Sequence, residues 1–115
     1  MEVRYKIWLE ENGDQVFGEG LFLLLARTQQ TGSLHRAALD MNMSYRYAWG
    51  KIKKAEKRLG RKLLTTQTGG EGGGGARLTP LAEDLVQRYR AFNKEVQASI
   101  ARLFADFWEE NCLPR

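Results

Sequence analysis

Residues 30–62 read QTGSLHRAALDMNMSYRYAWGKIKKAEKRLGRK, and two short helices are written into this stretch. Gly32 ends whatever precedes it, and Ser33 offers a side-chain oxygen to the first turn of a new helix. Leu34, Ala37, Ala38 and Met41 then recur at helical spacing and mark an inward face. Asn42-Met43 is the turn, and Ser44 caps a following helix that runs to Leu59 and stops at Gly60. At about 100° per residue, Ala48, Ile52, Ala55 and Leu59 fall on one narrow apolar stripe. Tyr45 and Trp49 border that stripe. The opposite side holds Arg46, Gly50, Lys53, Lys54 and Lys57, with Tyr47 at its edge. The stripe must dock on a core, so the basic side must face outward.

Working outward, Leu21, Leu24, Leu25 and Thr28 predict an earlier helix over 20–31. Upstream, Val3, Tyr5, Ile7 and Leu9 alternate with more polar neighbours, which predicts a half-buried strand. Asn12-Gly13 suits a tight turn, and Gln15–Phe17 can return as a second strand. Downstream, Leu63–Thr66 and Ala76–Leu78 read as paired strands around a tract in which six of the seven residues from Gly69 to Gly75 are glycine. Thr79 caps a last helix with Pro80 at its first position. Leu81, Leu85, Tyr89, Phe92, Val96, Ile100, Leu103 and Phe107 keep helical spacing for about seven turns. The order is β-β-α-α-α-β-β-α. The expected fold is mainly α with small β-hairpins: a winged helix-turn-helix over 1–79, with its N-terminal hairpin, and a long C-terminal dimerisation helix over 80–115. That helix is expected to fold back on its own domain only to about Phe92.

The chain has 115 residues and a formal charge of +4. Between Ser33 and Thr68 nine lysines and arginines face only Asp40 and Glu56, a local excess of +7 that leaves the remainder at −3. Such asymmetry points to a polyanionic partner, with a merely solvated lysine-rich face as the alternative. One cysteine, Cys112, excludes an intrachain disulfide and a cysteine-based zinc site. Charges at Glu2, Arg4 and Lys6 do not suit a signal peptide, and the apolar run Leu21–Ala26 is too short to span a bilayer. A cytoplasmic protein is expected. His35 stands alone, and no set of acids, histidines and a nucleophile suggests an enzyme, a metal or a cofactor.

A short helix, a turn and a second, basic helix can place side chains in the major groove of double-stranded DNA. Ser44, Tyr45, Arg46 and Tyr47 are then positioned to approach base edges, with Ser33 at the preceding helix start. Gly50 lies mid-face, where close approach to DNA or tight packing by a neighbouring element would explain a glycine. Lys51, Lys53, Lys54 and Lys57 suit phosphate contacts. The glycine tract reads as a wing tip whose amides at Gly70, Gly72 and Gly73 follow the DNA backbone, with Arg77 at its base. It lacks the Gly-Lys-Ser/Thr ending of an NTPase phosphate loop. On the last helix, Tyr89, Phe92, Val96, Ile100, Leu103, Phe104, Phe107 and Trp108 form an apolar stripe too large for so small a domain to cover, so a homodimer interface is expected there.

Gln30–Leu34 (QTGSL), Met43–Trp49 (MSYRYAW) and Thr68–Thr79 (TGGEGGGGARLT) resemble the N-terminal DNA-binding domain of the ModE family. These are molybdate-responsive bacterial transcription regulators, and their winged helix is similar to that of LysR-type regulators. The resemblance implies a homodimeric regulator that binds double-stranded DNA through the third helix and the wing. It implies dimerisation through the long helix together with N-terminal elements, and a link to molybdate-related genes. Glu71 stands where the family's wing usually carries a lysine. The family's molybdate-binding domains have no counterpart here, so no molybdate site is expected in this chain. A protein-interaction module that docks on a partner carrying the sensing domain is the alternative.

Overall fold

A computed structural model describes residues 1–67 and 75–108. The element order is the expected one: β1 (Trp8–Glu11), β2 (Asp14–Gly18), α1 (Glu19–Thr31), α2 (Leu34–Asp40), α3 (Tyr45–Leu59), β3 (Leu64–Gln67), β4 (Gly75–Leu78) and α4 (Pro80–Phe107). Strands β1 and β2 pair antiparallel through Asn12 and Gly13, both at positive φ, as a tight hairpin turn requires.

The strand expected from Val3 begins only at Trp8. Its pairing ends where Trp8 meets Gly18, because Gly18 turns directly into α1 and no backbone remains opposite residues 1–7. Val3 and Tyr5 are therefore exposed, and only Ile7 of this segment is half-buried.

Local chemistry sets the helix ends. The Gly32 N–H donates to the Thr28 carbonyl at 2.8 Å with the glycine at φ 74°, closing α1. Ser33 Oγ accepts from the Arg36 N–H and Ser44 Oγ from the Tyr47 N–H, both at 3.0 Å, opening α2 and α3. Between them Asn42 sits at φ 56°, a conformation asparagine tolerates better than most residues. Thr79 Oγ1 accepts from the Ala82 N–H and donates to the Lys62 carbonyl, so one hydroxyl caps α4 and ties it to the start of the wing.

One core joins all the helices. Leu24 and Leu25 of α1, Ala37 and Ala38 of α2, Ile52 of α3, Leu63 before the wing and Val86 of α4 are all sealed from solvent. The core crosses the division placed at residue 79, since Ala82, Val86 and Tyr89 belong to it. Tyr89 corrects the sequence reading, which placed it in the dimer stripe. It is 4% exposed, packs against Phe17 and Phe22 at ring-centroid distances of 5.2 and 4.9 Å, and donates its hydroxyl to the Ile7 carbonyl at 3.1 Å. Burial, and then the nearby Glu19 charge, raise its pKa above the usual tyrosine value, so the hydroxyl remains a neutral donor. Beyond Tyr89 the helix leaves the core, and Phe92, Leu103, Phe107 and Trp108 are exposed. No helix among the described residues is long and apolar enough to cross a membrane.

Candidate nucleic-acid interface

The interface is built on α3. Its apolar stripe buries Ala48, Ile52 and Ala55 against the core, which turns the opposite side to solvent. Arg46, Tyr47, Gly50, Lys54 and Lys57 are exposed, as the periodicity requires. Among the described residues, Arg46, Lys54 and Lys57 make no ion pair. A Cβ at Gly50 would meet no atom within 4 Å, so tight intrachain packing does not account for this glycine. The bare backbone there leaves room for an outside surface to come close.

The remaining cations of α3 are partly engaged. The Lys53 ammonium lies 5.0 Å from the Trp49 ring and 3.6 Å from Glu56 Oε1. Half-buried Lys51 reaches across toward Gly20, with its ammonium 5.9 Å from the Tyr47 ring. Tyr45 is exposed, and its ring lies 5.5 Å from that of His35 at the corner between α2 and α3. Ser33 is half-buried and Ser44 exposed, each as the helix cap already described. Cationic side chains thus line the outward side and both flanks of α3, with aromatic rings at its N-terminal end.

Strands β3 and β4 pair antiparallel, Leu64 with Leu78 and Thr65 with Arg77, which is the base of the expected wing. Arg77 is exposed, while Ala76 and Leu78 on the other face join the core. The Ala76 N–H donates to the Gly32 carbonyl at 3.0 Å and fastens the wing to the end of α1. Gly70, Gly72, Gly73, Glu71 and Cys112 lie outside the described residues.

Glu56 has a role that sequence reasoning missed. Counted only as a negative charge in a basic helix, it is 8% exposed and faces the wing. Its Oε2 accepts from the Leu63 and Leu64 N–H groups at 2.8 and 3.2 Å. Burial alone raises its pKa, but the two N–H donors and the charges of Lys53 and Lys62 outweigh it, leaving the value below the usual glutamate range. The ionised carboxylate thus locks β3 to the back of α3. A clue was present: position 56 lies one helical turn beyond Ile52, beside the buried stripe. Arg58 was also passed over as a site residue, and its guanidinium donates to the Gln15 carbonyl, joining α3 to the hairpin.

The apolar residues expected at a dimer interface lie along the outer half of α4. Val96, Ile100 and Phe104 are half-buried there, while Phe92, Leu103, Phe107 and Trp108 are exposed. Phe104 stacks on Trp108 with ring centroids 6.2 Å apart.

Residues 21–83 match the family described as bacterial regulatory helix-turn-helix protein, lysR family. The chain is 35% identical over 99 residues to the molybdenum-pterin-binding protein MopB of Rhodobacter capsulatus, a match covering 86% of this chain and 35% of that protein. It is 44% identical over 66 residues to the transcriptional regulator ModE of Haemophilus influenzae, covering 57% of this chain and 26% of that protein. The chain thus spans about a third or less of the length of these curated relatives. Among solved structures, ArgP from Mycobacterium tuberculosis superposes with a TM-score of 0.56 at 18% identity, over 74% of this chain and 30% of that one. That likeness concerns the fold.

Proposed function

The chain belongs to the lysR family of bacterial regulatory helix-turn-helix proteins, and on that premise we propose that it is a sequence-specific regulator of transcription that binds double-stranded DNA as a homodimer. The observation that carries this reading is the outward cationic side of α3, with Arg46, Lys54 and Lys57 unpaired among the described residues and an apolar stripe docked behind them.

An α-helix about 10–12 Å across fits a major groove about 12 Å wide. Arg46, near the start of α3, reaches base edges, where a bidentate arginine–guanine pair discriminates by about 1–3 kcal/mol. Tyr45 and Tyr47 flank it. Lys51, Lys53, Lys54 and Lys57 contact phosphates, which fix position without reading sequence. Arg77 adds a phosphate contact from the base of the wing.

Two copies join through the outer half of α4, from Phe92 to Trp108, and place their α3 helices about 34–36 Å apart on a pseudo-palindrome. The names of the relatives point to molybdenum-related genes as the regulated set. No molybdate-binding role is assigned to these residues. The family's description as regulatory supports reading the chain as a regulator and not an enzyme.

Selection of bound duplexes from a random pool, followed by a search for inverted repeats, tests the proposal directly. Enrichment of a two-fold motif with half-sites one helical turn apart is expected. Recovery of unenriched DNA, together with no retarded band at low salt, would refute it. The exposed apolar length of α4 favours one second reading, a module that docks on a different protein carrying a sensing domain. A monomeric chain that co-purifies with one stoichiometric partner and ignores DNA would support that reading instead.

A further inference from the structure

We propose that the hollow between the N-terminal hairpin and α3 is a second seat for the sugar–phosphate backbone of a bound duplex, with Arg58 as a phosphate ligand. The inference rests on the DNA-binding reading above and extends it to residues outside the recognition face.

The hollow measures about 390 Å³. Lys51, Lys54 and Arg58 line it from α3, and Gln15, Gly18 and Gly20 stand opposite. Three cations and no carboxylate therefore share one concavity. Glu10, Glu11 and Asp14 belong to the same hairpin yet lie outside the lining, so the wall that faces the cations is uncharged. None of the three cations has an ion-pair partner among the described residues. Like charges held together without a counter-charge create a local positive potential that favours an anion.

The geometry is prepared on both sides. Arg58 spends a donor on the Gln15 carbonyl, which fixes the guanidinium beside the hairpin and leaves its other N–H groups for an incoming oxygen pair. A Cβ at Gly20 would stand 3.4 Å from the Lys51 ammonium, so the glycine leaves that ammonium close against the α1 backbone.

Continuity identifies the occupant. Tyr47, Gly50 and Lys54 line the hollow and also belong to the exposed side of α3. A duplex that takes α3 into its major groove must bring one phosphate rim along this flank. A small free anion would meet two exposed, well-hydrated cations, Lys54 and Arg58, beside half-buried Lys51, and gain little. A duplex already anchored along α3 meets the same cations with no further loss of translational freedom.

The test uses the full chain and a duplex selected from the random pool, with affinity measured from 50 to 200 mM salt. For Arg58→Ala, which removes one phosphate contact from each protomer of the dimer, the slope of log affinity against log salt should fall in steepness by about 1.8, equivalent to about a 12-fold change across that range. The ranking of duplex sequences should be unchanged, and Arg58→Lys should restore the slope. Gly20→Glu sets a carboxylate against Lys51; the slope should flatten while the melting temperature holds, because an acid in the first turn of a helix is stabilising. Phosphate ethylation should interfere at this flank for the wild type and not for Arg58→Ala. If the wild type binds but Arg58→Ala keeps both its slope and its ethylation pattern, the seat is refuted. Millimolar inorganic phosphate shifting the amide signals of Gly20 and Lys51, with every slope unchanged, would assign the hollow to a free anion and also overturn it. A wild type that binds no duplex removes the DNA-binding reading itself.

Discussion

Replacing Glu56 by glutamine should loosen the wing from α3 and lower stability by about 2 kcal/mol near neutral pH. Two backbone donors, Leu63 N–H and Leu64 N–H, converge on one oxygen of a carboxylate that is almost wholly buried. A hydrogen bond to a charged group contributes about 1.5–3 kcal/mol and a neutral one about 0.5–1.5 kcal/mol. Two bonds weakened by about 1 kcal/mol each give the figure. The Lys53 partner adds little, because its side chain is more than half exposed and solvent screens the pair. Against a typical total of about 5–15 kcal/mol, such a loss is substantial.

The pH dependence gives the sharper test. The folded-state pKa of Glu56 lies below its ordinary value of 4.5. The carboxylate's contribution is therefore fully present above that ordinary value and is lost as pH falls through the lower, folded value. Urea unfolding of wild type and Glu56→Gln, followed by circular dichroism, should show a gap that is constant from about pH 7 to 5 and closes in stronger acid. A gap of the same size at all pH values would show that shape, not charge, holds the wing. No gap at neutral pH would refute the anchoring role altogether.

Other expectations follow from the same structure. Arg46→Ala should cost about 1–3 kcal/mol per half-site on the preferred duplex and relax its sequence preference, whereas Lys54→Ala should weaken all duplexes alike and flatten the salt slope of the dimer by about 1.8, one phosphate from each protomer; equal, sequence-blind losses in a competition assay would count against the groove assignment. Tyr89→Phe should destabilise by about 0.5–1.5 kcal/mol, since it removes the donor to the Ile7 carbonyl, and an unchanged urea midpoint would discount that bond. Leu103→Arg with Phe107→Asp should give a folded monomer in sedimentation equilibrium, because both residues lie outside the core; a persistent dimer would move the interface elsewhere.

Most of the fold was legible in the chain because its signals act over three or four residues. Serine and threonine caps at positions 33, 44 and 79, and glycine stops at 32 and 60, each complete a hydrogen bond with a near neighbour. The outward side of α3 follows from the stripe Ala48–Ile52–Ala55, whose spacing alone decides what must be buried. Most of the candidate recognition residues could therefore be named from residues 30–62, since a helix that docks by one face has already chosen the other.

Only the tertiary structure decided which distant residues meet. Tyr89 has the spacing of the outer α4 stripe, and nothing local separates it from Phe92; it is core because Phe17, Phe22 and Ile7, some seventy to eighty positions earlier, converge on it. Val3 and Tyr5 keep perfect alternation but form no strand, since pairing needs backbone opposite and Gly18 has already entered α1. Glu56 and Arg58 read as ordinary surface charges until β3 and Gln15 arrive beside them. Periodicity and capping are properties of a segment, and the residues themselves carry them. Partnership between segments depends on how the chain returns through space, and for Tyr89, Glu56 and Arg58 folding alone supplied it.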